Sequence, residues 1–223
     1  SDGQDYLKRL ADWGVDTGHV GLVPDSYTAQ AIIITDQDNN QITAFHPGAM
    51  QQAHRIDIPV GEAAIKVGIV APDGREGMLR HTEQMAAAGI PFIFDPGQQL
   101  PQFDGPHLLQ MVERADWLTV NDYEAHMFTE RCGKSLAELS SGPLKGIVVT
   151  LAAEGCELWV RGERAHVPGV KAAGVVDPTG CGDAFRAAFL FGLERGWSLQ
   201  RCAEYGKMTV LRGMLPFPHL PRF

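Results

Sequence analysis

No apolar run in this sequence approaches the roughly 20 residues that a membrane span needs. The opening SDGQDYLKRLADWGV carries acids where a secretory signal would carry an apolar stretch. Cysteine is scarce and scattered: the four, at 132, 156, 181 and 202, form no C-x-x-C pair, which argues against a zinc ribbon or a disulfide scaffold. Lone cysteines of this kind behave as small hydrophobes and fit a reducing, cytoplasmic compartment. Bases are outnumbered, 19 Lys and Arg against 27 Asp and Glu, for a net charge of −8. Such a surface disfavours nucleic acid, whose backbone needs a basic face, yet leaves room for one small phosphate ligand at a local site. The eight histidines stand apart with no H-x-x-x-H spacing, so they suggest no metal-ligand set. Internal repeats and low-complexity segments are also lacking. With 44% hydrophobic and 21% charged residues over 223 positions, the composition is globular, enough for one large domain or two small ones.

Two kinds of segment alternate along the chain. DYLKRLAD (5–12) has helical spacing and stops at Gly14. AIIIT (31–35) and QITAF (41–45) flank DQDNN, whose residues tolerate turn geometry, and the three together read as a β-hairpin. From residue 63 strands and helices follow in turn. AAIKVGIVA leads to a helix capped by Asp73 and ended by Gly89. PFIFD (91–95), a helix near 105–114, WLTV (117–120) and a helix from about Asn121 come next. GIVVTL (146–151) is a continuous apolar run, as expected for a strand covered on both faces. CELWV and RAHVPG follow as shorter strands before a long helix that begins near Gly182. The alternation predicts an α/β fold with a mainly parallel sheet and helices on both sides. The closing LRGMLPFPHLPRF, with prolines at 216, 218 and 221, does not continue a helix and stands apart.

The segment with most chemical content is Asp177-Pro178-Thr179-Gly180-Cys181-Gly182-Asp183-Ala184-Phe185. Phe185, Phe189 and Leu193 recur every fourth position, so a glycine-rich turn runs straight into an amphipathic helix. First-turn N–H groups lack intrahelical acceptors, and the helix dipole favours negative charge there. Asp183 at that place has two readings. It could take a proton from a hydroxyl while the amides stabilise a moving phosphoryl group, or it could cap the helix beside an ordinary turn.

DPTGCGDAF resembles the signature of the ribokinase-like (PfkB) carbohydrate and nucleoside kinases, close to D-T-x-G-A-G-D, in the form that bacterial adenosine kinases of that family carry. AFHPGAM (44–50), DPGQQL (95–100) and NDYE (121–124) match further motifs in the family's order, and the likeness runs from residue 1 to about Gly206. It implies a ribokinase-like three-layer α/β/α fold with a mainly parallel central sheet and a β-hairpin near the N-terminus. It also implies ATP-dependent phosphoryl transfer, with Mg2+, to the 5′-hydroxyl of adenosine, giving AMP.

The roles that the resemblance implies fall on particular residues. Asp183 would be the general base against the acceptor, and Gly180, Cys181 and Gly182 would supply anion-hole amides. Asn121, the run Thr150, Leu151, Ala152, Ala153, Glu154 and Gly155, and Gly182 would border ATP. Glu124 would hold magnesium through water, since that ion keeps much of its hydration shell; the bare residues also fit a capping box of Asn121 and Glu124. Gln98 and Gln99 follow a strand's C-terminal end, where open α/β sheets place ligands, and with Phe45 they would contact the substrate. As bare residues, the glutamines also fit a solvated loop and Phe45 a hairpin core.

Departures from the family pattern are equally specific. Cys181 replaces the usual alanine, where the backbone acts. Ala152 replaces the first glycine of T-x-G-x-x-G, and Ala31 stands where those adenosine kinases place a second aromatic, which points towards another nucleoside or a sugar. The family's opening strand, most of its lid, its sugar-gripping aspartate and its Gly-Gly segment have no counterpart. Residues 1–206 therefore read as a partial kinase domain and 207–223 as an atypical tail of the kind a frameshift leaves. A ribose- or fructose-type sugar kinase and a catalytically inactive, truncated nucleotide-binding remnant are the alternatives. The expected partner is a small-molecule substrate, with a homodimer left open and no nucleic acid or membrane.

Overall fold

The structure, a computed structural model, describes residues 2–35, 41–61, 65–170 and 180–213. Its centre is a six-stranded sheet in the order β3-β4-β5-β6-β7-β8, formed by Gly68–Val70, Phe92–Phe94, Trp117–Asn121, Gly146–Thr150, Gly155–Val160 and Glu163–Pro168. The first four strands run parallel, and β7 and β8 each pair antiparallel with the strand before. A separate two-stranded sheet, β1 (Gln30–Thr35) with β2 (Gln41–His46), makes the hairpin. Its turn, DQDNN, lies outside the described residues.

Period-two alternation divides each continuous apolar strand between two cores. Phe92, Phe94, Leu118, Val120, Ile147 and Val149 face one side. There they meet α2 (Arg75–Ala88), α3 (Gly105–Arg114), α4 (Asp122–Cys132) and the short α5 (Leu136–Ser140). Ile93, Trp117 and Val148 face the other side and pack on α6 (Cys181–Glu194) and α7 (Leu199–Gly213). Phe185 and Phe189 stack at 5.9 Å between ring centroids and belong to that second core, with Leu193 packed against it. This is the three-layer α/β/α arrangement with a mainly parallel sheet.

Some local expectations need correction. Helix α2 is not capped by Asp73: its N-cap is Gly74, and the Asp73 carboxylate accepts only the Gly74 N–H at 2.8 Å, too early in the chain to reach the first turn. Gly89 does end that helix, in the left-handed conformation. The strand expected across AAIKVGIVA is confined to Gly68–Val70 among the described residues. Helix α1 (Asp2–Asp12) starts earlier than its apolar spacing suggested. Helix α7 runs through position 206 to Gly213, and the proline-bearing residues beyond it lie outside the described part. No helix among the described residues is long and apolar enough to cross a membrane.

Candidate functional site

Parallel strands end on one edge, and that edge gathers motifs far apart in sequence. Strand β4 delivers Asp95, β5 delivers Asn121 and β6 delivers Thr150. The β5–β6 register pairs Asn121 with Thr150 directly, so N-x-x-E and the Thr150–Gly155 turn are neighbours by backbone hydrogen bonding alone. Ligands of open α/β sheets sit at this carboxyl edge.

Asn121 and Glu124 form a capping box: Glu124 N–H donates to Asn121 Oδ1 at 2.7 Å, and Asn121 N–H donates to Glu124 Oε2 at 2.8 Å. Such a cap stabilises a helix by about 1 kcal/mol, and it also holds the Glu124 carboxylate at the edge in one orientation. The structural role expected of the pair is therefore present, and it does not compete with a ligand role.

The turn after β6 closes on itself, with Leu151 N–H donating to Gly155 O at 2.8 Å and Glu154 N–H to Leu151 O at 2.9 Å. Ala152, Ala153 and Glu154 are exposed. Ala152 sits at φ +48°, a conformation suited to the glycine that the family pattern has there. An L-residue in the left-handed region costs roughly 1–2 kcal/mol, and glycine's greater unfolded-state freedom offsets about 0.4–1 of that. Ala152→Gly is accordingly expected to raise stability by about 0.5–1 kcal/mol, read as a higher denaturant midpoint with an unchanged m value.

Helix α6 begins at an N-cap, Gly180, with φ +78° and no side chain to cap the first turn. Asp183 is exposed on that turn, beside Gly182, which is also exposed, and Cys181, which is half-buried. Residues 171–179, including Asp177, Pro178 and Thr179 of the signature, lie outside the described part.

Arg186, one turn further along α6, reaches back to Asp95: Nη2 donates to Oδ1 at 3.1 Å and Nε lies against Oδ2. Asp95 is only 1% exposed, and burial outweighs the opposing pull of Arg186, so that its carboxyl is raised to about 6. Below that value the carboxylate takes a proton; at pH 7 it is ionised. Glu124 and Asp183 both lie close enough to add to that rise, so three carboxylates share one electrostatic neighbourhood with the Arg186 guanidinium.

The remaining candidates divide. Gln98 is exposed at the edge, whereas Gln99 is buried and its side-chain oxygen accepts from Gln102. Phe45 is 44% exposed on β2, and the hairpin register sets it directly opposite Ala31. The small partner leaves the Phe45 ring uncovered from that side. The opposite face of the hairpin carries Ile32, Ile34 and Ile42, all exposed.

Sequence reasoning left Arg186 without a role, because nothing local distinguishes a half-buried, paired guanidinium from a surface one. It also passed over α5, although Ser135 and Glu138 spell a capping box that the structure forms.

A mainly parallel sheet between two helical layers, a detached hairpin, and a glycine turn opening a helix at the carboxyl edge define a ribokinase-like α/β protein. The family model of pfkB family carbohydrate kinases matches residues 1–209. The chain belongs to that family. A nucleoside kinase of Burkholderia thailandensis, solved in complex with inosine, is 45% identical, with a TM-score of 0.89 over 96% of this chain and 69% of that one. A nucleoside kinase of Methanocaldococcus jannaschii is 28% identical over 205 residues, covering 92% of this chain and 66% of the relative. A ribokinase of Arabidopsis thaliana is 26% identical over 223 residues, covering 91% of this chain and 57% of the relative. The chain thus spans about two thirds or less of the length of these curated relatives.

Proposed function

We propose that this chain carries the phosphoryl-transfer site of an ATP-dependent nucleoside kinase acting on the 5′-hydroxyl of a purine nucleoside, with adenosine giving AMP. The observation that carries the reading is Asp183 on the first turn of α6, sharing the carboxyl edge with Asp95 and Glu124. Asp183 would accept the hydroxyl proton, and the amides of Gly180, Cys181 and Gly182 would stabilise charge on the moving phosphoryl group. Asn121 and the Thr150–Gly155 turn, adjacent by register, would border the nucleotide. Gln98 would meet the acceptor, and Gln99 would support it from behind through Gln102.

Magnesium fits this edge as a water-mediated ligand of Glu124. One oxygen of that carboxylate is tied to Asn121, and among the described residues no group of three His, Cys, Asp or Glu could hold an ion directly. An ion that keeps its waters and binds through substrate phosphates needs no such cage, and when bound it would neutralise phosphoryl charge.

The inosine complex of the Burkholderia relative favours a nucleoside over a free sugar. So does the uncovered Phe45 ring, a flat apolar surface suited to a planar base. Ala31 opposite it would relax the choice between purines. Cytoplasmic action on small molecules, as a homodimer, completes the reading; the exposed apolar hairpin is surface that a second copy could cover.

Radiometric phosphate transfer from ATP to adenosine, inosine, cytidine, ribose and fructose tests it. Transfer to the two purine nucleosides, with none to free sugars, is the expected result. Transfer confined to ribose or fructose would overturn the nucleoside assignment, and ATP binding without transfer to any acceptor would leave a nucleotide-binding protein without the activity.

A further inference from the structure

The ion pair of Arg186 with Asp95 joins two parts of the edge that are 91 residues apart in sequence. Asp95 is fixed on its backbone side as well, because its N–H donates to Val70 O at 2.9 Å and so continues the β3–β4 ladder. The turn that begins at Asp95, the 3-10 segment Gly97–Gln102, carries Gln98. On the other side, Arg186 follows Asp183 by three residues, so both side chains stand on one face of α6. The guanidinium also lies over the backbone of the glycine turn: a Cβ on Gly182 would come within 2.5 Å of Arg186 Nη1. Glycine at 182 thus leaves the space through which Arg186 reaches Asp95.

We propose that Arg186 is a positioning residue: its grip on Asp95 locks the first turn of α6, with Asp183, against the turn that bears Gln98, so that base and acceptor are held in one geometry. The inference rests on the kinase reading above and adds to it a residue that contacts neither reactant. A planar fork gripping a buried carboxylate fixes direction as well as distance, which a lysine does only in part. The Thr150–Gly155 turn and Asn121 lie outside this clamp, so ground-state ATP binding, where it rests on them, should depend on it little, and the Gly180–Gly182 amides should feel its loss in the transfer step.

The test compares wild type with Arg186→Met, Arg186→Lys and Asp95→Asn. It measures steady-state kinetics for adenosine and ATP, and calorimetric dissociation constants for each ligand alone. Misplacing reacting groups by about 1 Å can cost on the order of 100-fold in rate, and Arg186→Met should approach that loss in kcat. Its adenosine KM and Kd should rise about ten-fold, the ATP Kd should stay within about two-fold, and Arg186→Lys should recover part of both losses. Asp95→Asn keeps the shape of the site and should show the same split, which serves if Arg186→Met does not fold.

A merely structural pair would lower the melting temperature and the active fraction while leaving kcat per active site and both KM values unchanged; that outcome overturns the proposal. So does equal weakening of adenosine and ATP. If wild type binds adenosine but transfers no phosphate, the kinase reading fails by itself, and the adenosine-against-ATP split in binding still decides the role of Arg186. Wild type that binds no adenosine overturns both.

Discussion

Asp183→Asn should lower kcat by about 10²–10⁴-fold, the range that a positioned general base contributes, while the fold survives. The amide has the shape of the carboxylate and cannot accept the hydroxyl proton. Asp183 is exposed on the first turn of α6, so the substitution leaves no cavity and strands no buried partner. What is lost structurally is one negative charge near a helix N-terminus, about 0.3–1 kcal/mol, equivalent to a melting-temperature drop of roughly 1–4 °C in a domain of this size. ATP affinity should hold or tighten, because the variant removes a like charge beside the phosphates. Kinetics, calorimetry and thermal melting on the same preparations separate these three expectations. A kcat within about ten-fold of wild type would reduce Asp183 to a first-turn charge on the helix dipole, since Gly180 is the N-cap and no side chain caps the turn, a role worth about 0.3–1 kcal/mol and no catalysis.

The layered fold was legible because burial writes itself locally. GIVVTL read as a strand covered on both faces, and in the structure Ile147 and Val149 enter one core while Val148 enters the other. Phe185, Phe189 and Leu193 likewise announced the buried face of α6. What failed was local in a different sense. Asp73 is a good capping residue by type, yet one residue's difference in helix start leaves its carboxylate on the Gly74 N–H. Chain direction alone cannot decide between two such neighbours; the close approach of Gly74 to the Met50 backbone, 2.8 Å for an added Cβ, shows the tertiary packing that does.

The site divides along the same line. Its members on turns and caps, Asn121, Glu124 and the Gly180–Asp183 run, carry signatures in their own spacing. Arg186 carries none, and Asp95, although it opens the DPGQQL motif, gives no sign of its partner: the carboxyl end of β4 must come to the start of α6 before the two can pair. The split between Gln98 and Gln99 is of the same kind. Adjacent and identical in type, they part only when the 3-10 segment turns one outward and packs the other against Gln102.

Gly155→Ala should be the most damaging single-methyl change at the candidate site, costing about 3–5 kcal/mol of stability out of the 5–15 typical of a domain. Two independent penalties add. Gly155 has φ +99° and ψ −126°, a region that L-residues reach only at a cost of about 1–3 kcal/mol. An added Cβ would also stand 2.1 Å from Val167 O and 2.4 Å from Gly169 N. Both are backbone atoms of β8 and its exit, so no side-chain rotation relieves the clash; overpacking of this sort costs about 1–3 kcal/mol more. Relief would require β8 to move away from β7, whose register starts with the Gly155–Pro168 pair. The damage should therefore reach the nucleotide turn, because Leu151 N–H loses its acceptor when Gly155 O shifts. A sharply lower denaturant midpoint with weakened ATP binding is the expected result, opposite in sign to Ala152→Gly three residues earlier. A midpoint shift worth less than about 0.5 kcal/mol would mean that the turn relaxes around the methyl group at the scale of an ordinary surface substitution. The close packing of β8 on this edge would then have no part in shaping the nucleotide side of the site.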